Sequence, residues 1–173
     1  MDSLSKLGKK YGTDKIGKHN YLPVYYDLFK DRTNEIKKVL EIGVGEGAGL
    51  RMWRDFFPKA VVYGAEIDLH RVTALMDEDR IHVHPCDQSK EADLNDFVRL
   101  TGKDLDLVVD DGSHKPEDQV FTALYFLPLL KEGAIYVIED VADLNILAEF
   151  EEYVAMIKQC GKRYDDRLII IQK

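Results

Sequence analysis

Hydrophobic residues follow two alternating periodicities from Lys37 onward. Short continuous apolar runs, typical of buried strands, alternate with segments in which apolar residues recur every three or four positions, as on one face of a helix. This alternation predicts a mostly parallel sheet covered by helices on both faces. The predicted strands are 38–42, 61–64, 81–84, 105–109, 134–138 and 168–171. The predicted helices are 48–57, 70–77, 91–101, one that begins at Pro116 with an apolar stripe of Val120, Phe121, Leu124 and Leu127, and one near 145–159.

Two further helices are predicted before the sheet. The apolar spacing indicates a short amphipathic helix over 3–11, ended by Gly12, and a second helix from Leu22 to Phe29. The segment between them is dense in polar side chains and bounded by glycines, which predicts an ordered loop.

Composition narrows the class of protein. A chain of 173 residues with 45% hydrophobic and 32% charged residues is expected to form one globular domain. The net charge of −8 argues against a nucleic-acid partner. No apolar run reaches membrane-spanning length and the N-terminus lacks a signal-peptide core, so we expect a cytoplasmic protein with no membrane partner. Cys86 and Cys160 are too few and too isolated for a disulfide framework or a zinc site.

Basic residues cluster near the N-terminus. A cluster of this kind is more often a solvated face than a phosphate-binding track. Its members are Lys6, Lys9, Lys10, Lys15 and Lys18.

The segment from Glu41 to Gly47 connects the first predicted strand to its helix. Its pattern, E-x-G-x-G-x-G, places Gly43, Gly45 and Gly47 where a ligand could approach bare backbone N–H groups and a helix N-terminus. The spacing differs from the dinucleotide fingerprint G-x-G-x-x-G, and Glu41 and Glu46 would repel a pyrophosphate. The pattern therefore favours S-adenosylmethionine, which carries an ammonium and a sulfonium but no phosphate, over NAD. A glycine turn that binds no ligand is the alternative.

Acidic residues lie at or just past the carboxyl end of each of the first five strands. They are Glu41, Glu66, Asp68, Asp87, Asp110, Asp111, Glu139 and Asp140. Ligands bind at this edge of an open parallel sheet. Glu66 and Asp68 follow Gly43 close to the interval of about 20 residues at which an acid contacts a cofactor ribose, and Glu66 is the first choice. Asp87 could accept from an adenine amino group or be only a turn residue.

Four of these acids follow the fourth and fifth strands. If the two strands are neighbours, their ends lie about 5 Å apart, and the carboxylates must be partly protonated or held by a cation. Ligation by Asp111, Glu139 and Asp140 suits Mg²⁺ or Ca²⁺, and His114 would stand beside them as a general base. The alternative makes Asp110 and Ser113 turn or cap residues and His114 a surface imidazole.

These motifs resemble the macrocin- and mycinamicin-type sugar O-methyltransferases of the class I S-adenosylmethionine-dependent methyltransferases. The resemblance covers nearly the whole chain. It rests on Gly12–Lys15 with His19 and Tyr21, Glu41–Gly47, Leu50–Pro58, Tyr63–Glu66, Asp87 with Gln88, Asp110–His114 and Ile138–Asp140.

The resemblance implies a single Rossmann-like methyltransferase domain over 1–173. Residues 1–35 would cover the cofactor side, and 36–173 would form the doubly wound core. Asp111, Glu139 and Asp140 would hold Mg²⁺, and His114, with Asp111, would take the proton from a sugar hydroxyl. The cofactor contacts that the resemblance implies are Glu41, Gly43, Glu66, Asp87 and Gln88, and the predicted set of contacts also includes Gly45, Gly47, Asp68 and Asp110.

The chain also departs from the family pattern. The family core ends in two antiparallel strands, whereas Gly161–Lys173, after the last predicted helix, predicts a shortened end with one strand. The family's N-terminal extension and substrate-covering insertions are not found. We therefore expect the acceptor to be a sugar, nucleotide-sugar or glycan hydroxyl, and a neighbouring subunit of a homo-oligomer could roof the cleft.

Two other functions are compatible with the same motifs. One is a protein that binds the cofactor without turnover, as an interaction or sensor subunit. The other is an enzyme of the related cephalosporin hydroxylase type, which shares the sheet and the acids.

Overall fold

A mixed sheet forms the centre of the chain in a computed structural model, which describes residues 1–68, 70–71, 75 and 78–173. Within these residues the strand order is β3-β2-β1-β4-β5-β7-β6. The first five strands are parallel, and β7 runs antiparallel to both β5 and β6. The strands are β1 (Lys38–Ile42), β2 (Val61–Glu66), β3 (Ile81–Pro85), β4 (Leu107–Asp110), β5 (Ile135–Ile138), β6 (Val154–Gln159) and β7 (Arg167–Gln172).

Helices cover both faces of this sheet. They are α1 (Ser3–Tyr11), α2 (Leu22–Phe29), α3 (Ala48–Phe56), α4 (Glu91–Thr101) and α5 (Pro116–Phe126), with 3₁₀ helices at Leu127–Leu129 and Leu144–Phe150. Asp2 caps α1 by accepting from the Ser5 N–H at 2.7 Å, and Gly12 ends it in the left-handed conformation. The helix predicted over 70–77 falls mostly outside the described residues. No described helix has the length and apolarity needed to cross a bilayer.

The core is split into two layers by the sheet. Successive residues of a strand point to opposite faces, so that Val109 packs with α1–α3 whereas Val108 packs with α4 and α5. The central strands β1, β4 and β5 are buried on both faces, which explains their nearly continuous apolar sequences.

The winding of the sheet reverses at β1. This strand pairs with β2 on one side and with β4 on the other. Ile42 pairs with Asp110, and Asp110 pairs with Ile138. Gly43, Asp111 and Glu139 therefore follow side by side at the sheet edge where open α/β folds bind ligands.

The C-terminal part differs from the sequence prediction. The helix expected near 145–159 is wrong: a 3₁₀ helix ends at Phe150, and Val154–Gln159 forms the edge strand β6. The predicted last strand is present as β7, but the expectation of a single strand at this end is wrong, because β6 and β7 form a complete antiparallel hairpin. Ala155 and Ile157 pack against the core with a period of two, which a strand satisfies and a helix does not.

The apolar stripe predicted on α5 is only partly buried. Leu127 is buried, but Phe121 and Leu124 are 37% and 40% exposed. The helix instead turns Gln119 and Thr122 inward, where the Gln119 side chain donates to the Glu139 carbonyl at 3.0 Å. Polar anchoring to the strand ends has outweighed burial of the apolar stripe.

Candidate active site

The turn after β1 presses its backbone against the end of β4. Gly43 has φ +80°, and a Cβ placed there would lie 2.1 Å from the Asp111 carbonyl oxygen. Gly47, with φ +83°, precedes α3, and its Cβ would collide with Leu75. The obstacle at Gly43 is backbone, which cannot yield, whereas the obstacle at Gly47 is the end of the Leu75 side chain. Gly43 is therefore required by close approach as well as by φ, and Gly47 is favoured by its φ.

Glu66 closes this turn from the side of β2. One of its carboxylate oxygens accepts from the N–H groups of Val44 and Gly45 at 3.0 and 3.1 Å, and the other accepts from Asp68 N–H at 3.0 Å. Asp68 is exposed and caps the His70 N–H, as in the cap alternative. Of the two acids considered for the ribose, Glu66 is the one beside the glycine turn.

A cleft of about 630 Å³ opens between the turn, the N-terminal loop and the strand ends. The predicted site residues that line it are Glu41, Gly43, Gly45, Glu66, Asp87, Gln88, Asp111, His114 and Asp140. Four others, Gly47, Asp68, Asp110 and Glu139, are not among its lining residues.

Asp110 lies behind the cleft and positions Gln88. Its carboxylate accepts from Gln88 Nε2 and from the Tyr136 hydroxyl, both at 3.0 Å, and burial raises its pKa to about 7. The Gln88 side-chain oxygen in turn accepts from Ser113 N–H at 2.7 Å. Asp110 thus supports a cleft residue, whereas the sequence placed it directly on the cofactor.

Asp87 adopts the geometry of a turn residue at the cleft wall. Its Oδ1 accepts from the N–H and the hydroxyl of Ser89 at 3.1 and 2.7 Å. These hydrogen bonds and Lys90 lower the pKa of Asp87 to about 2. It is ionised at neutral pH and can accept further hydrogen bonds from the cleft side.

Lys15 stands at the centre of the acid cluster. Its Nζ lies 2.6 Å from Asp111 Oδ2, 2.7 Å from Glu139 Oε2 and 3.1 Å from Glu41 Oε1, and its side chain is 2% exposed. Burial by itself would lower the pKa of Lys15, but the three carboxylates outweigh it and raise the pKa well above the usual value. The cation that the converging acids require is therefore, at least in part, this ammonium.

The pairing of Lys15 with these carboxylates was not predicted, because Lys15 had been assigned to a solvated basic cluster. The sequence feature that could have indicated this role is the position of Lys15 in the Gly12–Lys15 motif, one of the motifs that resemble the sugar O-methyltransferases. The other members of the basic cluster do not have this environment; Lys18, for example, is exposed beside Asp14.

One ammonium does not neutralise three buried carboxylates. Burial raises the pKa of Glu41 to about 7, and Glu41 Oε2 has no hydrogen-bond partner among the described residues. Burial also raises the pKa of Glu139, whose Oε1 accepts from the Tyr25 hydroxyl at 2.6 Å. Glu41 therefore offers a buried, unused acceptor at the cleft wall.

Asp140 is held by two residues of the N-terminal loop. The Tyr21 hydroxyl donates to Asp140 Oδ1, and His19 Nδ1 lies 3.3 Å from the same oxygen. His19 also contacts Asp166, in the turn of the C-terminal hairpin, at 2.9 Å. Sequence reasoning noted His19 and Tyr21 within the N-terminal motif but gave them no role.

His114 completes the group at the cleft floor. Its Nε2 lies 3.1 Å from Asp111 Oδ1 and its Nδ1 lies 3.7 Å from Asp140 Oδ2. The hydrogen bond with Asp111 raises the pKa of His114, whereas Lys15 and His114 hold the pKa of Asp111 well below its usual value against the effect of burial.

Asp111, His114 and Asp140 could together hold a metal ion. Each offers one ligand atom, and these atoms lie within 4.8 Å of one another. Two carboxylate oxygens and an imidazole nitrogen are a suitable donor set for a divalent cation. Glu139, the third acid of the predicted set, faces Lys15 and Tyr25, so its part in ion binding stays a prediction.

Comparisons with known proteins identify the family to which the chain belongs. The family model described as "Methyltransferase domain" matches residues 40–141, more than half of the chain. The chain belongs to this methyltransferase family. The chain is 36% identical over 151 residues to the 8-demethyl-8-alpha-L-rhamnosyl tetracenomycin-C 2'-O-methyltransferase of Streptomyces olivaceus. It is 37% identical over 147 residues to the mycinamicin VI 2''-O-methyltransferase of Micromonospora griseorubida.

The fold comparison agrees with the sequence comparison. The MycE methyltransferase of the mycinamycin biosynthetic pathway, solved with Mg, SAH and mycinamycin VI, superposes with a TM-score of 0.83 at 27% identity. The predicted class I methyltransferase fold and the resemblance to the mycinamicin-type enzymes are confirmed.

These similar proteins are considerably longer than the chain. The matches cover 82% and 80% of the chain but only 38% and 36% of the two curated relatives. The superposition on MycE covers 99% of the chain and 53% of that protein.

Proposed function

We propose that this chain is the catalytic part of an S-adenosylmethionine-dependent, Mg²⁺-assisted O-methyltransferase that acts on a sugar hydroxyl. One observation carries the proposal: a single cleft is lined both by the glycine turn and by the group of Asp111, His114 and Asp140. Methyl transfer needs the sulfonium and the attacking oxygen side by side, and this cleft offers a binding surface for each.

The cofactor side has acceptors that suit S-adenosylmethionine. Glu41 Oε2 is buried, unpaired among the described residues and at the cleft wall, where it can accept from the α-ammonium of the methionine part. Glu66 beside the turn and Asp87 after β3 would serve the ribose hydroxyls and the adenine. The acidic lining and the lack of a phosphate-binding pattern in the turn count against NAD.

The acceptor side has the groups needed to bind and deprotonate a hydroxyl. Asp111 and Asp140 would hold the divalent ion, with Glu139 as the third ligand that the resemblance implies. A bound ion would lower the pKa of a hydroxyl that it contacts and orient the oxygen for attack.

His114 is the base in this proposal. Because Asp111 Oδ1 accepts from Nε2, the neutral imidazole carries its hydrogen on Nε2 and has a free lone pair on Nδ1. The side chain is 43% exposed, so Nδ1 can take the proton from an acceptor hydroxyl in the cleft. Asp111 would hold the ring in this tautomer.

The names of the relatives support a sugar as the acceptor. The two curated relatives are described as 2'-O- and 2''-O-methyltransferases of glycosylated natural products. A glycosylated small molecule is accordingly the proposed substrate class. A cytoplasmic location and a homo-oligomer stay predictions.

A direct test combines binding and turnover. The protein is titrated with S-adenosylmethionine by calorimetry and then incubated with methyl-labelled cofactor, Mg²⁺ and a panel of rhamnosylated and other glycosylated polyketides. We expect cofactor binding and label transfer that chelation of Mg²⁺ abolishes. Absence of cofactor heat would exclude the methyltransferase, whereas binding without transfer to any glycoside would favour the non-catalytic alternative.

A further inference from the structure

Lys15 connects three acids that come from different elements. Glu41 lies on β1, Asp111 directly follows β4 and Glu139 directly follows β5. The ammonium has three N–H groups and lies within 3.1 Å of one oxygen of each acid. Glu41 belongs to the cofactor side of the cleft, and Asp111 belongs to the metal side.

We propose that Lys15 is a positioning residue that stands in for part of the charge of the divalent ion. In the absence of the ion its ammonium holds the acids together, and it turns Asp111 so that one oxygen faces the ion site. The inference rests on the metal-assisted function proposed above. Its test measures stability and ion binding, which can be scored without any methyl transfer.

The two oxygens of Asp111 show how this positioning works. Oδ2 is bound by Lys15 at 2.6 Å, and Oδ1 is bound by His114 at 3.1 Å. Without the ammonium, Asp111 would lose the contact that decides which oxygen points into the cleft. Asp140 does not touch Lys15 and is fixed independently by Tyr21.

The backbone of Lys15 also ties the cluster to the N-terminal loop. Its carbonyl accepts from Tyr21 N–H at 2.8 Å, so the residue that contacts the acids also closes the loop that leads into α2. The same loop lines the cleft through Gly12, Thr13 and Asp14. Loss of the ammonium should therefore loosen both the acid cluster and the covering loop.

The ion and Lys15 neutralise the same carboxylates, which makes the proposal testable. Lys15→Met keeps the length of the apolar stem but removes the charge. We expect the melting temperature of this variant in chelator at pH 8 to fall by roughly 10 °C, because buried acids lose their partner. Millimolar Mg²⁺ should restore a large part of the loss, because the ion then supplies the positive charge that the variant lacks.

Lys18→Met is the matched control, because Lys18 lies in the same loop but is exposed and pairs with Asp14. We expect it to melt as the wild type does, with the small Mg²⁺ response of the wild type. A Lys15→Met variant that loses the same stability with and without Mg²⁺ would overturn the proposal, since Lys15 would then be a purely structural residue. Absence of an Mg²⁺ effect in every variant would overturn it as well.

A second variant covers the case in which Lys15→Met does not fold. Lys15→Met combined with Glu41→Gln removes one of the three carboxylates but leaves Asp111, Glu139 and Asp140 for the ion. We expect this variant to fold and to gain more melting temperature from Mg²⁺ than the wild type does; an equal gain in both proteins would contradict the proposal. Failure of methyl transfer in the wild type, with this Mg²⁺ response intact, would reject the enzymatic function alone.

Discussion

At the residue scale, Asp111 and His114 set each other's proton affinity. The hydrogen bond between them raises the pKa of His114 and lowers that of Asp111. A base of raised pKa is stronger but is unprotonated only at higher pH. The pair therefore fixes both the strength of the proposed base and the pH range in which it works.

The first prediction concerns this base. We expect kcat to fall as pH is lowered through a His114 pKa above 6.5, because only the unprotonated ring accepts a proton. His114→Ala should reduce kcat by about 10²- to 10⁴-fold and leave cofactor affinity unchanged. A pH–rate profile and a cofactor titration check both parts, with His82→Ala on the exposed side of β3 as control. An unchanged kcat in His114→Ala would remove the histidine from the mechanism.

The second prediction concerns Gly43. Gly43→Ala combines a left-handed φ with a Cβ at 2.1 Å from the Asp111 carbonyl, whereas Gly17→Ala has a similar φ of +84° and open space. Both should lose about 1–2 kcal/mol from φ strain, and Gly43→Ala should lose several kcal/mol more together with cofactor binding. Urea unfolding and cofactor titration measure the difference, and equal losses would show that close approach does not matter.

The third prediction concerns the buried carboxyl of Asp110. Its pKa is 3.8 in an unperturbed chain and about 7 in the fold. A raised acid pKa stabilises the fold below pH 3.8, and this contribution is lost as pH rises toward 7. Asp110→Asn should therefore flatten the decline of unfolding free energy between pH 5 and 8, by up to about 2.5 kcal/mol. Urea unfolding at pH 5 and at pH 8 measures the difference. An equal decline of the unfolding free energy in the variant and the wild type would contradict the prediction.

At the element scale, most boundaries follow from local sequence, and the misassignments have identifiable causes. The predicted bounds of α2 and α4 match the structure, because apolar spacing and a terminal proline or glycine mark them. The strand β6 was assigned to a helix because it lies at the sheet edge with Val154 and Met156 exposed, so its period of two is not matched by burial of large apolar residues. The face of α5 was misassigned because hydrogen bonds to distant strand ends set its rotation.

The fourth prediction concerns the loop before α2. Tyr21→Phe removes the hydroxyl that holds Asp140 Oδ1 and should lower the unfolding free energy by roughly 2 kcal/mol, the usual range for a hydrogen bond to a charged group. It should also weaken Mg²⁺ binding, because Asp140 loses its fixed orientation. Tyr26→Phe, on the helix α2 that follows, is the control. Chemical unfolding and Mg²⁺ calorimetry test the pair, and a Tyr21→Phe variant as stable as the control would show that the loop is held by other contacts.

At the scale of the whole molecule, the candidate site is a product of topology. The acids at the strand ends could be predicted to converge, because parallel strands place their carboxyl ends at one edge. The partner of these acids could not, because Lys15 lies 96 and 124 positions away from Asp111 and Glu139 in the chain. Local pattern carries no information about contacts at such separations, so a buried cation looked like part of a charged surface.

The fifth prediction concerns the occupied cleft. A ligand that binds only the folded state raises the unfolding free energy by about 2.7 kcal/mol at a hundred times its dissociation constant. S-adenosylmethionine should therefore raise the melting temperature by roughly 5–10 °C, and NAD at the same concentration should not. A thermal shift with NAD, or none with S-adenosylmethionine, would contradict the proposal that the glycine turn binds S-adenosylmethionine.

The contacts of Asp140 have a consequence for folding during synthesis on the ribosome. Tyr21 and His19 approach this carboxylate from one end of the chain, and Asp166 steadies His19 from the hairpin near the other. A nascent polypeptide that has emerged from the ribosome only as far as Asp140 would contain every predicted cofactor contact and ion ligand and yet lack Asp166, which contacts His19. We therefore expect stable binding of the ion only late in translation, after the C-terminal hairpin has been synthesised and has packed against the sheet.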